Sequence, residues 1–149
     1  MLDPESAVRR YLAAQQVVDV DRIRELTHED LVVEVPCAPR FVPPITHGRE
    51  RFLDRLVRTL GDRETGLFAS FVYTDLSTFF CENESVVFAD YRSVGTFRST
   101  GGPYSNKYLA RFDFLGGLIV RFVEYFDPRI TEDNPGSRGF GSSPGVGRT

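Results

Sequence analysis

Apolar positions in this chain recur at helical spacing up to about residue 60 and at strand spacing after residue 66. Val8, Tyr11 and Leu12, with Gln15, share one helical face; Ile23 and Leu26 mark a second, shorter one. Asp3-Pro4-Glu5 opens the first helix with an N-cap, a proline at the first helical position and an acid at the positive end of the dipole. Asp19-Val20-Asp21 is a polar break that caps the second helix. Leu31 to Val35 is β-branched and reads as a strand. Pro36 to Pro44 holds four prolines in nine residues and predicts an irregular loop. Helical spacing returns from Arg49 to Leu60, with Phe52, Leu53, Leu56, Val57 and Leu60 as the buried stripe and Gly61 as the stop.

Four strand-like runs follow: Leu67–Cys81, Val86–Arg98, Tyr104–Phe114 and Leu118–Phe126. Short turn-forming segments separate them, at Glu82–Ser85, Thr100–Pro103 and Leu115–Gly117, so the runs should pair as an antiparallel meander. Helices first and strands after predict an α+β cone, with the N-terminal helices packed on one face of a strongly curved antiparallel sheet. The expected domain spans residues 1–130. Residues 131–149 form a tail, of which Arg138–Thr149 is rich in Gly, Ser and Pro and has no apolar period.

One face of the last run reads Leu118, Val120, Phe122, Glu124, Phe126, which sets a carboxylate alone inside an apolar, aromatic stripe. Strand side chains alternate with period two, so Glu124 should point inward with Phe122 and Phe126. Glutamate is almost never fully buried without a partner. The chain either keeps this carboxyl as a functional group in a pocket or satisfies it with a structural hydrogen bond.

Composition narrows the function classes. The net charge of −3 and scattered arginines supply no footprint for nucleic acid. No run approaches the roughly 20 apolar residues of a spanning helix. The acidic, polar start predicts no signal peptide and a cytoplasmic location. Cys37 and Cys81 lack metal-binding spacing and are expected as free thiols; with two histidines in the chain, no zinc site is expected. The 13 Phe and 6 Tyr suit either the walls of a pocket or a filled core.

Val8–Ala14, Asp19–Ile23 and Leu31–Pro36 resemble the N-terminal half of the ketosteroid-isomerase-like (nuclear transport factor 2-like) superfamily. Asn106–Phe114, a Gly turn and Ile119–Pro128 look most like SnoaL-like polyketide cyclases and phenazine-biosynthesis A/B proteins. With the Gly48-Arg49-Glu50 helix start, the resemblance covers residues 5 to 128. It implies the cone fold, and a homodimer through the outer sheet face where Glu34 and Asp90 are expected. It does not choose a reaction, because the superfamily hosts isomerases, cyclases, dehydratases, hydrolases and non-enzymes. Tyr11 falls where steroid isomerases keep an oxyanion-hole tyrosine. Their general-base aspartate falls on Val35 and their protonated aspartate on Ala110, which argues against that isomerisation mechanism here. Glu124 falls where the phenazine proteins keep an acid–base glutamate.

A carboxyl among phenyl rings loses hydration, which raises its pKa and suits it to shuttle a proton near neutrality. Enolisation, double-bond migration, dehydration and aldol closure all use such a shuttle beside a carbonyl, with a donor for the developing oxyanion. Tyr11 is either that donor or a core tyrosine with its hydroxyl tied off. Asn106 either bonds substrate or caps a turn. Tyr91, Tyr104, Tyr108 and Phe122 are expected on the wall. His47 reaches the cavity only if the proline-rich loop folds over its mouth. Arg55 either meets a substrate carboxylate or forms a surface salt bridge, and His28 is expected in an exposed turn. The expected function is a cofactor-free acid–base enzyme of the cyclase, isomerase or dehydratase type. Its substrate would be a hydrophobic carbonyl compound of secondary metabolism, with catalytic residues Glu124, Tyr11 and Asn106. The alternatives are a non-catalytic small-molecule-binding module and an interaction protein whose cavity is filled by its own side chains.

Overall fold

A computed structural model describes residues 2–61, 64–81 and 85–135, which excludes the expected tail from Arg138 onward. Helix α1 (Pro4–Val17) opens where the Asp3 carboxylate accepts from the Ser6 backbone N–H at 2.9 Å. Val8, Tyr11, Leu12 and Gln15 are buried along it. It ends at Val18, whose left-handed backbone (φ 56°) turns the chain directly into helix α2 (Val20–Leu26), capped by Asp19. Strand β1 (Thr27–Glu34) follows without a loop.

β1 starts four residues before the expected Leu31, because Thr27 already pairs with Ile119 of strand β6 (Leu118–Tyr125). His28 therefore lies on a strand, half-buried, with its Nδ1 accepting from the Asp30 backbone N–H. The proline-rich segment is irregular as expected, but its exit forms a three-residue edge strand, β2 (Ile45–His47), antiparallel to β1. Helix α3 (Arg49–Thr59) buries Phe52, Leu53 and Leu56 and leaves Val57 exposed. At about 100° per residue, Val57 lies roughly 90° from the centre of that stripe, on its margin.

Strands β3 (Phe68–Phe80), β4 (Val86–Phe97), β5 (Pro103–Leu115) and β6 form the expected antiparallel meander. The whole sheet has six strands in the order β2-β1-β6-β5-β4-β3. It is mixed rather than purely antiparallel, since β1 lies parallel to β6. The pairing joins segments some ninety residues apart, and no local turn signal encodes it.

Two of the sheet's four register shifts bear on the site. In β3 the register slips between Thr74 and Ser77, where Asp75 takes a left-handed backbone (φ 56°). In β6, Asp113 of β5 faces Arg121 while the next residue, Phe114, faces Ile119, so Val120 is an extra residue. That extra residue reverses the alternation. Ile119 is buried upstream, Phe122 and Glu124 are buried downstream, and Leu118 and Val120 lose the inward places that strict period two predicts. The helices and the inner sheet face enclose the main core, which includes Tyr11, Leu12, Ile23, Phe52, Tyr91 and Phe112. A second cluster of Leu67, Phe68, Phe97 and Tyr104 sits at the β3–β5 end.

Asp127-Pro128 lies just past the end of β6. It also opens a short helix, α4 (Pro128–Glu132), with Asp127 as N-cap, repeating the Asp-Pro device of α1. The structured chain thus runs past residue 130. Among the described residues, no helix is long and apolar enough to cross a membrane. Gly95 of β4 lies so close to β3 that an added Cβ would sit 2.3 Å from the Ser70 carbonyl oxygen. Gly95→Ala is expected to lower the free energy of unfolding by about 1–3 kcal/mol, read from urea denaturation. Unchanged stability would show that the two strands part easily here.

Candidate active site: a buried carboxyl in an aromatic cavity

Between the inner sheet face and α3 lies a cavity of about 110 Å³. Phe68, Phe71, Phe122 and Phe126 form much of its wall, with Val33 and Val35 from β1 and its exit. Pro39, Phe41 and Val42 bring the proline-rich segment over one side. That segment is tied to α4, where the Arg40 backbone N–H donates to Glu132 at 2.6 Å, and the neighbouring Thr131 also lines the space.

Glu124 reaches this cavity as its strand period requires. Its neighbours across β5 and β4 are Ala110 and Ala89, both fully buried and small enough to leave the carboxyl room. The Tyr91 hydroxyl donates to Glu124 Oε2. Oε1 has no hydrogen bond to a described residue. Burial raises the Glu124 pKa to about 7, against the opposing pull of the Tyr91 hydrogen bond and the positive field of Arg55. The carboxyl is therefore poised between proton donor and proton acceptor at neutral pH.

Tyr11 gives its hydroxyl proton elsewhere. It is fully buried, is not part of the cavity wall and packs edge-on against Phe112 and Phe122. Its hydroxyl donates to Gln15 Oε1 at 2.7 Å. This contact orients the amide, because a phenol enclosed on all sides must give its proton to the available oxygen. Gln15 then presents Nε2, which donates to the Tyr73 hydroxyl at 2.7 Å. Tyr73 accepts there, so its own proton stays free, with no acceptor among the described residues. Gln15 and Tyr73 both line the cavity, and Glu124 is close enough to Tyr73 to raise its pKa, after burial itself. Sequence reasoning missed Tyr73. The bulge at Asp75 hides its face, although Phe71 and Tyr73 do alternate inward before it.

Asn106 is buried but committed elsewhere. Its Nδ2 donates to the Tyr104 hydroxyl (3.2 Å) and the Asp127 carbonyl (3.1 Å), and its Oδ1 accepts from the Lys107 N–H. It ties β5 to the start of α4 and supports the wall. Tyr104 and Tyr108 do line the cavity, as expected, but their hydroxyls bond to each other (3.0 Å), and Tyr108 also bonds Ser93 (2.8 Å). Tyr91, expected on the wall, stands behind Glu124 and stacks on Tyr108 with centroids 5.0 Å apart. His47 is exposed on the edge strand β2, away from the cavity. Arg55 lines the cavity rather than forming a surface salt bridge, with its Cζ 5.2 Å from the Phe52 ring centroid. Among the described residues, no group of three or more His, Cys, Asp or Glu is placed to hold a metal ion.

The raised Glu124 pKa has a stability consequence of definite sign. The unfolded carboxyl ionises near its ordinary 4.5, while the folded one holds its proton to about 7. Stability is thus highest below the lower value and declines as pH rises through the window, by about 3 kcal/mol in total. Glu124→Gln keeps an oxygen for Tyr91 but cannot ionise. Its stability relative to the native chain should rise from pH 4 to pH 7.5 and then level off in urea titrations. A difference independent of pH would show that the carboxyl titrates normally.

Comparison with known proteins gives concordant results. The SnoaL-like domain family matches residues 8–122. The uncharacterized protein YesE of Bacillus subtilis (strain 168) is 25% identical over 126 residues, covering 85% of this chain and 82% of YesE. The crystal structure of a candidate isomerase from Bacillus subtilis superposes with a TM-score of 0.75 at 23% identity, covering 94% of this chain and 99% of that one. A candidate polyketide cyclase from Xanthomonas campestris superposes with a TM-score of 0.63 at 22% identity, covering 81% and 87%. These two structures share the fold, and the match over residues 8–122 establishes that the chain belongs to the SnoaL-like domain family.

Proposed function

We propose that the protein is a cofactor-free acid–base enzyme that enolises a small, hydrophobic carbonyl compound, as an isomerase or cyclase does. Its SnoaL-like relatives of the cyclase and isomerase kind support a role of that general type. The observation that carries the reading is Glu124. It is a buried carboxyl with a pKa of about 7, held at one oxygen by Tyr91 and turned toward an aromatic cavity.

In the proposed reaction, ionised Glu124 removes a proton from carbon next to the carbonyl. The C–H electron pair moves into the new C=C bond, and the carbonyl pair moves onto oxygen. The free O–H of Tyr73 hydrogen-bonds that oxygen, a contact that strengthens as the charge develops. Where a neighbouring C=C bond makes the intermediate a dienolate, protonated Glu124 returns its proton to the remote carbon, the carbonyl re-forms and the double bond has moved. In a cyclisation the enolate carbon attacks a second carbonyl, the first carbonyl re-forms, and Glu124 gives its proton to the new alkoxide. Apolar walls keep water from competing for either intermediate. The cavity volume favours a compact substrate of one or two rings.

Two simple ketones, 1-indanone and 2-tetralone, test the shared first step. In D2O the protein should accelerate deuterium incorporation next to their carbonyls, as followed by proton NMR. Glu124→Gln should slow the enzymatic exchange by about 10²–10⁴-fold. Tyr73→Phe should cost about 10²–10³-fold with little change in ligand affinity. Exchange in the native protein should rise with pH through about 7, as Glu124 ionises. Full exchange in Glu124→Gln would reject the role of this carboxyl, and tight ketone binding without exchange would return the protein to a binding module.

A further inference from the structure

Arg55 has a feature that enolisation does not use. Among the described residues lining the cavity it is the single cation, and Glu124 is the single acid. The two groups feel each other's charge, yet they form no ion pair, and Arg55 pairs with no described carboxylate. Its Nε is buried without a hydrogen-bond partner. Burial disfavours its charged form, which lowers its pKa below the ordinary guanidinium range, but a guanidinium stays protonated through the working range. The Phe52 ring beneath it fixes the plane of the donors. A half-buried guanidinium whose Nε is enclosed without a partner among the described residues is costly unless a ligand completes it.

We propose that Arg55 is an anion anchor, and that the substrate is a monocarboxylate that also carries the reacting carbonyl. This deepens the enolisation reading and rests on it for the identity of the reacting group. One guanidinium matches one carboxylate through paired N–H donors. A phosphate dianion would find no second cation among the described lining residues. The gap between Arg55 and Glu124 spans the substrate, with its carboxylate at α3 and its acidic C–H at β6. The apolar surface of Phe122 and Phe126 holds the part in between.

The charge preference can be read with 4-oxo-4-phenylbutanoate and its uncharged amide, 4-oxo-4-phenylbutanamide, which differ little in shape. By isothermal titration at pH 7.5 the native protein should bind the acid at least tenfold tighter than the amide. Arg55→Met should erase that preference, and Arg55→Lys should retain part of it. Glu124→Gln should keep the preference while losing deuterium exchange, which separates the two proposals. Loss of exchange in the native protein with the preference intact would sink enolisation and leave the anion site standing. Equal affinity for acid and amide, no measurable binding of the acid, or a preference that survives Arg55→Met would overturn the anchor. The comparison in the native protein decides the matter even if a variant folds poorly.

Discussion

The hydrogen bond between the Tyr91 hydroxyl and the Glu124 carboxyl is the contact on which the site depends. A lone carboxylate surrounded by Phe122, Tyr73 and Tyr108 would be expelled or permanently protonated, because ionising it there forfeits most of its hydration. One strong donor lowers that cost without removing it, and the field of Arg55 lowers it further. The outcome is a group whose two protonation states are nearly equal in free energy at neutral pH. Small residues at Ala89 and Ala110 are part of the same arrangement. A larger side chain at either would occupy the space in which the carboxyl moves, and a second acid at 110 would change which group holds the proton.

Around this contact the aromatic side chains do two kinds of work. Some are walls: Phe68, Phe71 and Phe126 present hydrocarbon to the cavity. Others are oriented polar groups whose hydroxyls are assigned by exclusion. Tyr11 has one available acceptor, which turns the Gln15 amide and leaves the Tyr73 proton unclaimed. Tyr104, Tyr108 and Ser93 share two hydrogen bonds with Tyr108 in the middle, which leaves one proton of the three over. Six tyrosines in the chain therefore do not offer six candidate donors. Among them Tyr73 accepts from Gln15 while keeping its own proton, and Glu124 is near enough to raise its pKa.

Much of the architecture is legible along the chain because it is encoded locally. Asp-Pro openings place α1, a caesura at Asp19 places α2, and period-two runs with turn residues between them place the meander. Asp127-Pro128 carries the same signal as Asp3-Pro4 and marks α4 equally well. The parallel partnership of β1 with β6 and the edge strand β2 are different. They depend on which exposed edge a returning segment meets, and that is a property of the assembled sheet.

The same division holds for the site. Sequence alone determined that Glu124 shares a face with Phe122, since alternation between two residues on one strand needs nothing beyond the strand. It also placed Arg55 next to the buried stripe of α3 and left both of its roles open. Only the tertiary structure decided that Tyr91 stands behind the carboxyl and that Asn106 is spent on a wall. It likewise showed that His47 points away from the cavity and that Arg55 meets no described carboxylate. Each of these depends on the meeting of side chains from separate strands and helices. Bulges at Asp75 and Val120 shift those meetings by one residue, and one residue is enough to turn a side chain to the opposite face.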